Sequence, residues 1–309
     1  MTRALLLGAG SSWAAYEMGA LEHLCAPRAR PFDVYAGAGI GAMNAAFAAC
    51  GKLDELGRFW DRANIRSLIG LDVGRLLSGP LCNRPQRAFV SSHISAELLA
   101  NRGVQLLVTA LDLHTGTEVV LRYPGCAMPL VDGIMAAVAT SGLLPPVPFA
   151  DKLLAEATFV ESVPMVAVSD LGRDDEVIAV LPAAPDAAGR RRSYRTWRSV
   201  LERALALNLA QDVRQAIRTH ADAQTVTSEI SRAITEVDTL LSMLDDPALA
   251  TSLRARAAAV FSECAADSVP NLVAIVPSTE LEYPLWRFRR REMAAARALG
   301  RRDAEALVP

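Results

Sequence analysis

Three glycines, Gly37, Gly39 and Gly41, stand in the run Tyr35-Ala-Gly-Ala-Gly-Ile-Gly-Ala-Met-Asn-Ala-Ala-Phe47. Their spacing is that of a nucleophile elbow, G-x-S-x-G. In that motif a strand turns sharply into a helix and holds one serine at the apex. Here the apex is Gly39, which has no side chain and cannot attack a carbonyl. A glycine at such a turn also has a plain backbone reason, because it adopts positive φ without strain. The second glycine-rich segment is Gly8-Ala-Gly10, followed by Ser11 and Ser12. Backbone amides in such a loop could stabilise an oxyanion. Ser11 and Ser12 are expected to act as helix N-caps.

These segments need elements to hold them. Ala4 to Leu7 is a short apolar run that stops at the first glycine turn, which predicts a buried strand. Tyr16, Gly19, Ala20 and Leu24 then recur at helical spacing. Phe32 to Ala36 predicts a second strand, and Ile40 to Ala49, apolar nearly all round, a buried helix. Val104–Ala110 and Glu118–Leu121 predict a hairpin closed by His114-Thr-Gly116. A helix is expected over Ile134–Ser141, stopped by the prolines at 145, 146 and 148. Glu176–Leu181 and Asn271–Val276 read as strands and Trp286–Leu307 as a final helix. Strands alternating with helices predict an α/β fold with a mostly parallel sheet. One domain over 1–309 is expected, with a helical excursion at 194–266 and a return to the core at 271–309.

Composition excludes some functions. Half of the 309 residues are hydrophobic, and 32 basic against 34 acidic side chains leave a net charge of −2. That balance supplies no general attraction for nucleic acid or an anionic membrane. The basic runs Arg190–Arg192 and Arg287–Arg291 read as solvated faces or helix ends. Five scattered cysteines (25, 50, 82, 126 and 264), with no C-x-x-C, predict free thiols in a reducing cytoplasm. The histidines (23, 93, 114 and 220) are equally scattered, so no metal site is expected. No apolar run has the length of a membrane span.

Taken together, the glycine loop and the elbow resemble the opening of the patatin-like phospholipases. Aligned by Tyr16, Gly19, Leu21 and Glu22, that family's G-G-G-x-R-G loop falls on Ala9-Gly10-Ser11-Ser12-Trp13-Ala14. At the elbow Gly37, Gly41, Ala42, Asn44 and Ala45 match and the serine does not. Val138–Val147 looks like the segment preceding the family's catalytic aspartate. Pro164, eight residues on from that aspartate in the family, puts its position at Glu156. Asn271–Pro277, then Gly300 and Ala304, resemble the closing strand and helix. The resemblance implies a three-layer α/β/α fold. It implies Gly39 at the nucleophile position, Glu156 at the dyad acid, Gly37 and Gly41 as the elbow glycines, and Ala9, Gly10, Ser11 and Ser12 as the oxyanion loop. It implies a lipid or acyl ligand, no cofactor, and membrane contact that is peripheral at most; a protein partner is also compatible with it.

The departures bear on chemistry. Acyl transfer by a Ser–Asp dyad needs a hydroxyl, a carboxylate within reach and amides aimed at the oxyanion. The first is lost at Gly39. The second is longer by a methylene at Glu156. The third is crowded by the Cβ atoms of Ala9, Ser11 and Ala14. An engineered change would touch Gly39 alone, so the concerted drift reads as natural loss. Four readings follow: a pseudoenzyme that binds a lipid or acyl group, a repurposed enzyme in the same fold, a hydrolase using another serine, and a nucleotide-binding α/β protein. The last is disfavoured, because the third glycine of G-x-G-x-x-G falls on Trp13 and no Walker-type G-K-[ST] exists. Asp112 and His114, two apart, form a minor acid/base candidate, and Ser141 reads as structural.

Overall fold

The computed structural model describes residues 1–72, 81–158, 160–172, 174–185, 195–243, 246–265 and 269–308. Strand β1 (Arg3–Leu7) enters a 3-10 turn (Ser11–Ala14) and helix α1 (Ala15–Leu24). Strand β2 (Val34–Ala38) turns at Gly39 into α2 (Ile40–Ala49). Helices α3 (Leu53–Arg62) and α4 (Ile65–Leu68) precede a short ribbon of β3 (Gly70–Leu71) and β4 (Leu81–Cys82). Then come α5 (Arg84–His93), α6 (Ala96–Arg102) and the hairpin β5 (Gln105–Asp112) and β6 (Thr117–Tyr123). Helix α7 (Leu130–Ala137), β7 (Val147–Phe149), β8 (Lys152–Ala155) and β9 (Glu176–Val180) follow. The long helices α8 (Trp197–Ser242) and α9 (Pro247–Ala265) lead to β10 (Asn271–Ile275) and α10 (Arg290–Leu307).

The main sheet has the order β10-β9-β1-β2-β5-β8-β7, with β6 also on β5. The five strands from β10 to β5 are parallel, and β6, β7 and β8 add antiparallel pairs at one side. Strands β1 and β2 are buried along their whole length. A parallel strand covered on both faces is apolar throughout rather than alternating, which is why Ala4–Leu7 carries no polar residue. Helix α2 is likewise buried at every position.

Helix α10 crosses α1 through two reciprocal glycines. A Cβ on Gly19 would overlap the Arg297 carbonyl, and one on Gly300 the Tyr16 carbonyl. The Tyr16 hydroxyl donates to Asp303 Oδ2 at 3.0 Å, and Ser278 donates to the same carboxylate. The end of the chain is thereby fastened to its first helix.

Several expected boundaries move. Helix α7 begins and ends four residues earlier than predicted, because the turn at 140–143 with Gly142 at φ 81° cannot be helical. Helix α10 starts at Arg290, since Pro284 opens a turn closed by the Arg287 amide. Ser11 and Ser12 are not N-caps: they lie inside the 3-10 turn, capped by Gly10 without a side-chain bond. Strands β7 and β8 were not foreseen; each is too short to show a period. The basic run 190–192 lies outside the described residues. Arg287, just ahead of α10, pairs at 2.7 Å with Glu292 in the first turn of that helix, an ordinary helix-end ion pair. Cys25, Cys50, Cys82 and Cys126 are free thiols. Among the described residues no group fits a metal ion, and no helix is long and apolar enough to cross a membrane.

One carboxyl group is wholly inside. Glu17 of α1 is 0% exposed, and burial raises its pKa well above the ordinary value. Asn44 of α2 donates to Glu17 Oε2 at 2.7 Å and to the Ala14 carbonyl, while Trp60 Nε1 donates to Asn44 Oδ1 at 3.0 Å. The native state thus holds a proton that the unfolded chain releases above the ordinary carboxylate range. By linkage, this contribution to stability is complete below that range and declines as pH rises toward the folded value. Glu17→Gln keeps the shape and is neutral at every pH. Its unfolding midpoint in urea, relative to the unsubstituted chain, should rise as pH climbs above the ordinary carboxylate range. A constant gap would show that Glu17 titrates alike in both states.

Candidate functional site

The site lies at the carboxyl ends of β1 and β2, the edge where open α/β sheets bind ligands. Register sets the geometry. Leu7 pairs with Gly37 and with Val180, so three parallel strands end level. Beyond Ala38 the chain turns at Gly39, with φ 54° and ψ −135°. An L side chain rarely adopts that backbone, and holding one there costs about 1–3 kcal/mol. Gly37 and Gly41 are required for space instead. A Cβ on Gly37 would lie 2.5 Å from Ala42 Cα, and one on Gly41 would sit 2.7 Å from the Leu7 carbonyl oxygen. The three glycines of the elbow thus have two physical reasons: one is conformational, two are steric.

Glu156 follows β8 directly. The amide of Glu156 donates to the Ala139 carbonyl at 3.0 Å, so the turn after α7 holds its backbone. Ala38 pairs with Thr109 and Ala155 with Leu111. Carried one residue further, both registers point at Ala110, with Gly39 on one side and Glu156 on the other. The glutamate side chain spans the rest. A Cβ built on Gly39 would lie 2.8 Å from Glu156 Oε1 and 3.0 Å from Ala9 Cβ. The extra methylene relative to aspartate carries the carboxylate up against the apex, where an elbow serine would hold its side chain.

Glu156 is 9% exposed. Burial raises its pKa, and hydrogen bonds from the Thr140 and Thr158 hydroxyls offset part of that rise. The Thr158 bond measures 2.7 Å. These threonines escaped the sequence reading. Thr158 is two residues from Glu156, but Thr140 reaches it only because β8 folds back beneath α7.

The loop at 8–12 lies against the elbow, as the Ala9 contact shows. Its amides are partly consumed. Gly8 N donates to the Val180 carbonyl, Ala9 N to the Ser162 carbonyl and Ser12 N to the Leu285 carbonyl. Among the described residues, no acceptor pairs with the amides of Gly10 and Ser11. Ser11 has φ 47°, a left-handed conformation that glycine would take without cost. Ser12 is buried, and its hydroxyl makes a long 3.4 Å contact to the Pro284 carbonyl. Trp13 packs inward with Nε1 donating to the Tyr283 carbonyl at 2.9 Å.

The other candidates lie apart from this chemistry. Asp112 accepts from the His114 amide, Leu153 N and Thr115 Oγ1, and so closes the β5–β6 turn. The His114 ring faces the Asp151 carbonyl at 3.0 Å and does not pair with the Asp112 carboxylate. Ser141 sits in the turn after α7, its buried hydroxyl unpartnered among the described residues.

Comparison with known proteins agrees with the fold. The family model described as patatin-like phospholipase matches residues 5–168, more than half of the chain. The crystal structure of VipD from Legionella pneumophila superposes with a TM-score of 0.54 at 11% identity, over 99% of this chain and 66% of that one. At that identity the likeness is one of fold, and the present chain spans less than two thirds of its neighbour. No curated protein matches the chain.

Backbone geometry at the apex makes a prediction. Gly39→Ser should lower unfolding stability by about 1–3 kcal/mol in urea titration, from strain at positive φ and from displacement of the Glu156 carboxylate. Gly41→Ala should be worse, because its Cβ meets fixed carbonyls rather than a mobile side chain. An unchanged midpoint in Gly39→Ser would mean that the apex relaxes out of its strained conformation.

Proposed function

The chain belongs to the patatin-like phospholipase family, and we propose that within it the protein is a pseudoenzyme that binds a lipid or acyl-type ligand in the cleft beside Gly39. Gly39 stands at the nucleophile position and Glu156 at that of the dyad acid. The observation that carries this reading is the 2.8 Å separation between Glu156 Oε1 and the place of the missing Cβ. The carboxylate fills space that a nucleophile would need, so the surrounding parts have adjusted to its absence. Loss of a serine nucleophile costs a hydrolase about six orders of magnitude in turnover. Ala9, Gly10, Ser11 and Ser12 form the former oxyanion loop. Its two unengaged amides, with a buried carboxyl whose pKa is raised by desolvation, suit the polar head of an acyl group. The protein is proposed to be cytoplasmic, to need no cofactor, and to touch membranes peripherally at most.

A second reading rests on the burial of Glu156. A carboxyl whose pKa is raised is a better general base once ionised. Glu156 could then activate water against an acyl substrate polarised by the Gly10 and Ser11 amides. Such activity would rise with pH as Glu156 loses its proton and vanish in Glu156→Gln. It would leave no covalent acyl-enzyme.

Labelling and turnover decide between these readings. The chain should resist a fluorophosphonate probe and show no serine-dependent turnover of short p-nitrophenyl esters. Gly39→Ser should recover weak activity, and the triple change Gly39→Ser, Glu156→Asp, Ser11→Gly should exceed it. The shorter acid vacates the apex, and glycine relieves the left-handed backbone at 11. Fluorophosphonate inactivation of the unsubstituted chain would refute the pseudoenzyme and point to another serine. Full hydrolase rates from Gly39→Ser alone would show that the remaining site had not drifted.

A further inference from the structure

At the amino-terminal ends of the strands, opposite Gly39, lies a cavity of about 940 Å³. That size suits a small-molecule ligand. Pro27, Pro31 and Leu53 expose apolar surface in it, above a floor that contains the buried Met18, Leu24 and Phe32. Five arginines face it with only three carboxylates, in a chain whose net charge is −2.

Most of these cations are already matched. Arg297 and Arg301 share Glu22, and Arg297 also reaches Asp61 at 2.7 Å. Arg30 makes a 3.5 Å contact with Glu176, a carboxylate that Arg3 holds at 2.8 Å. Arg102, at the end of α6, differs. Among the described residues no carboxylate lies within ion-pair distance of it. It lies beside the buried Tyr35 hydroxyl, where its charge offsets part of the rise that burial gives that phenol. Gly51 makes room for it, since a Cβ there would overlap the guanidinium. A guanidinium without a counter-charge, on the rim of a cavity that also exposes apolar surface, presents a fork that matches carboxylate or phosphate.

We propose that this cavity binds an amphiphilic anion. Its acyl chain lies along Pro27, Pro31 and Leu53, and its carboxylate or phosphate head pairs with Arg102, on a wall that also carries Arg30. The site is separate from the Gly39 cleft and does not depend on the function proposed there.

Met18 makes occupancy measurable. With 13C-methyl methionine, its resonance should shift saturably on titration with decanoate or decyl phosphate. The tighter of the two identifies the head group. Inorganic phosphate lacks the chain and 1-decanol lacks the charge, so neither should shift it at the same concentrations. Arg102→Ala should weaken binding at least tenfold. Arg102→Lys, which keeps charge but not the fork, should fall between, and Glu156→Gln should leave the titration unchanged. The proposal is overturned if neither anion moves Met18, if Arg102→Ala binds as tightly as the unsubstituted chain, or if 1-decanol binds equally well. A response lost in Glu156→Gln but kept in Arg102→Ala would place the anion at the Gly39 cleft. That would overturn this site while leaving the other intact.

Discussion

Everything at the site depends on how closely the start of α2 approaches the end of β1. Gly41 stands so near the Leu7 and Gly8 carbonyls that no Cβ fits between them. With α2 seated there, the chain leaving β2 has one residue in which to reverse, and Gly39 takes φ 54° to do so. The same closeness brings Ala9 against the apex and fixes the 8–12 loop relative to the elbow. A side chain at Gly39 would be strained by its backbone and crowded by Glu156. Glycine therefore relaxes a geometry that the fold imposes.

Buried carboxyls give the region its electrostatic character. Glu17 and Glu156 are both raised by desolvation, and their bonds come from neutral groups: Asn44 for one, Thr140 and Thr158 for the other. A carboxyl in a low-dielectric site without a cation favours its neutral form. For Glu17 this ties α1 to α2 through Asn44 and, through Trp60, to α3. For Glu156 it shifts the balance toward the protonated form of a group facing the Gly39 apex. A hydrolase would need that acid to be charged and slightly farther away, so that it could accept a hydroxyl proton.

The two ends of the sheet have become chemically different. At the carboxyl ends, backbone amides and a buried acid without a cationic partner meet at Gly39. At the amino ends, arginines outnumber acids around a second hollow. The α1–α10 crossing, closed by Gly19 and Gly300, brings Arg297 and Arg301 to that hollow and so gathers the charge there. Long-range packing of the last helix therefore shapes a feature built mostly from the first hundred residues.

The sequence by itself determined the elements with strong local signals. The apolar run at 4–7, the glycine elbow, the all-buried helix at 40–49 and the hairpin closed at Gly116 could each be read from a window of a few residues. It also placed Gly39 and Glu156 at corresponding positions of one family pattern. Only the tertiary structure decided how they meet. Strands β7 and β8 are three and four residues long and antiparallel, with no period to betray them, yet β8 delivers Glu156 to the apex. Ser11 and Ser12 looked like caps because their hydroxyls suit that role locally; Leu285, some 270 residues on, instead claims the Ser12 amide. Local pattern fixes backbone preference within a few residues. Which carbonyl takes an amide, and which carboxylate lies against Gly39, depends on chain segments that meet only when the whole sheet has formed.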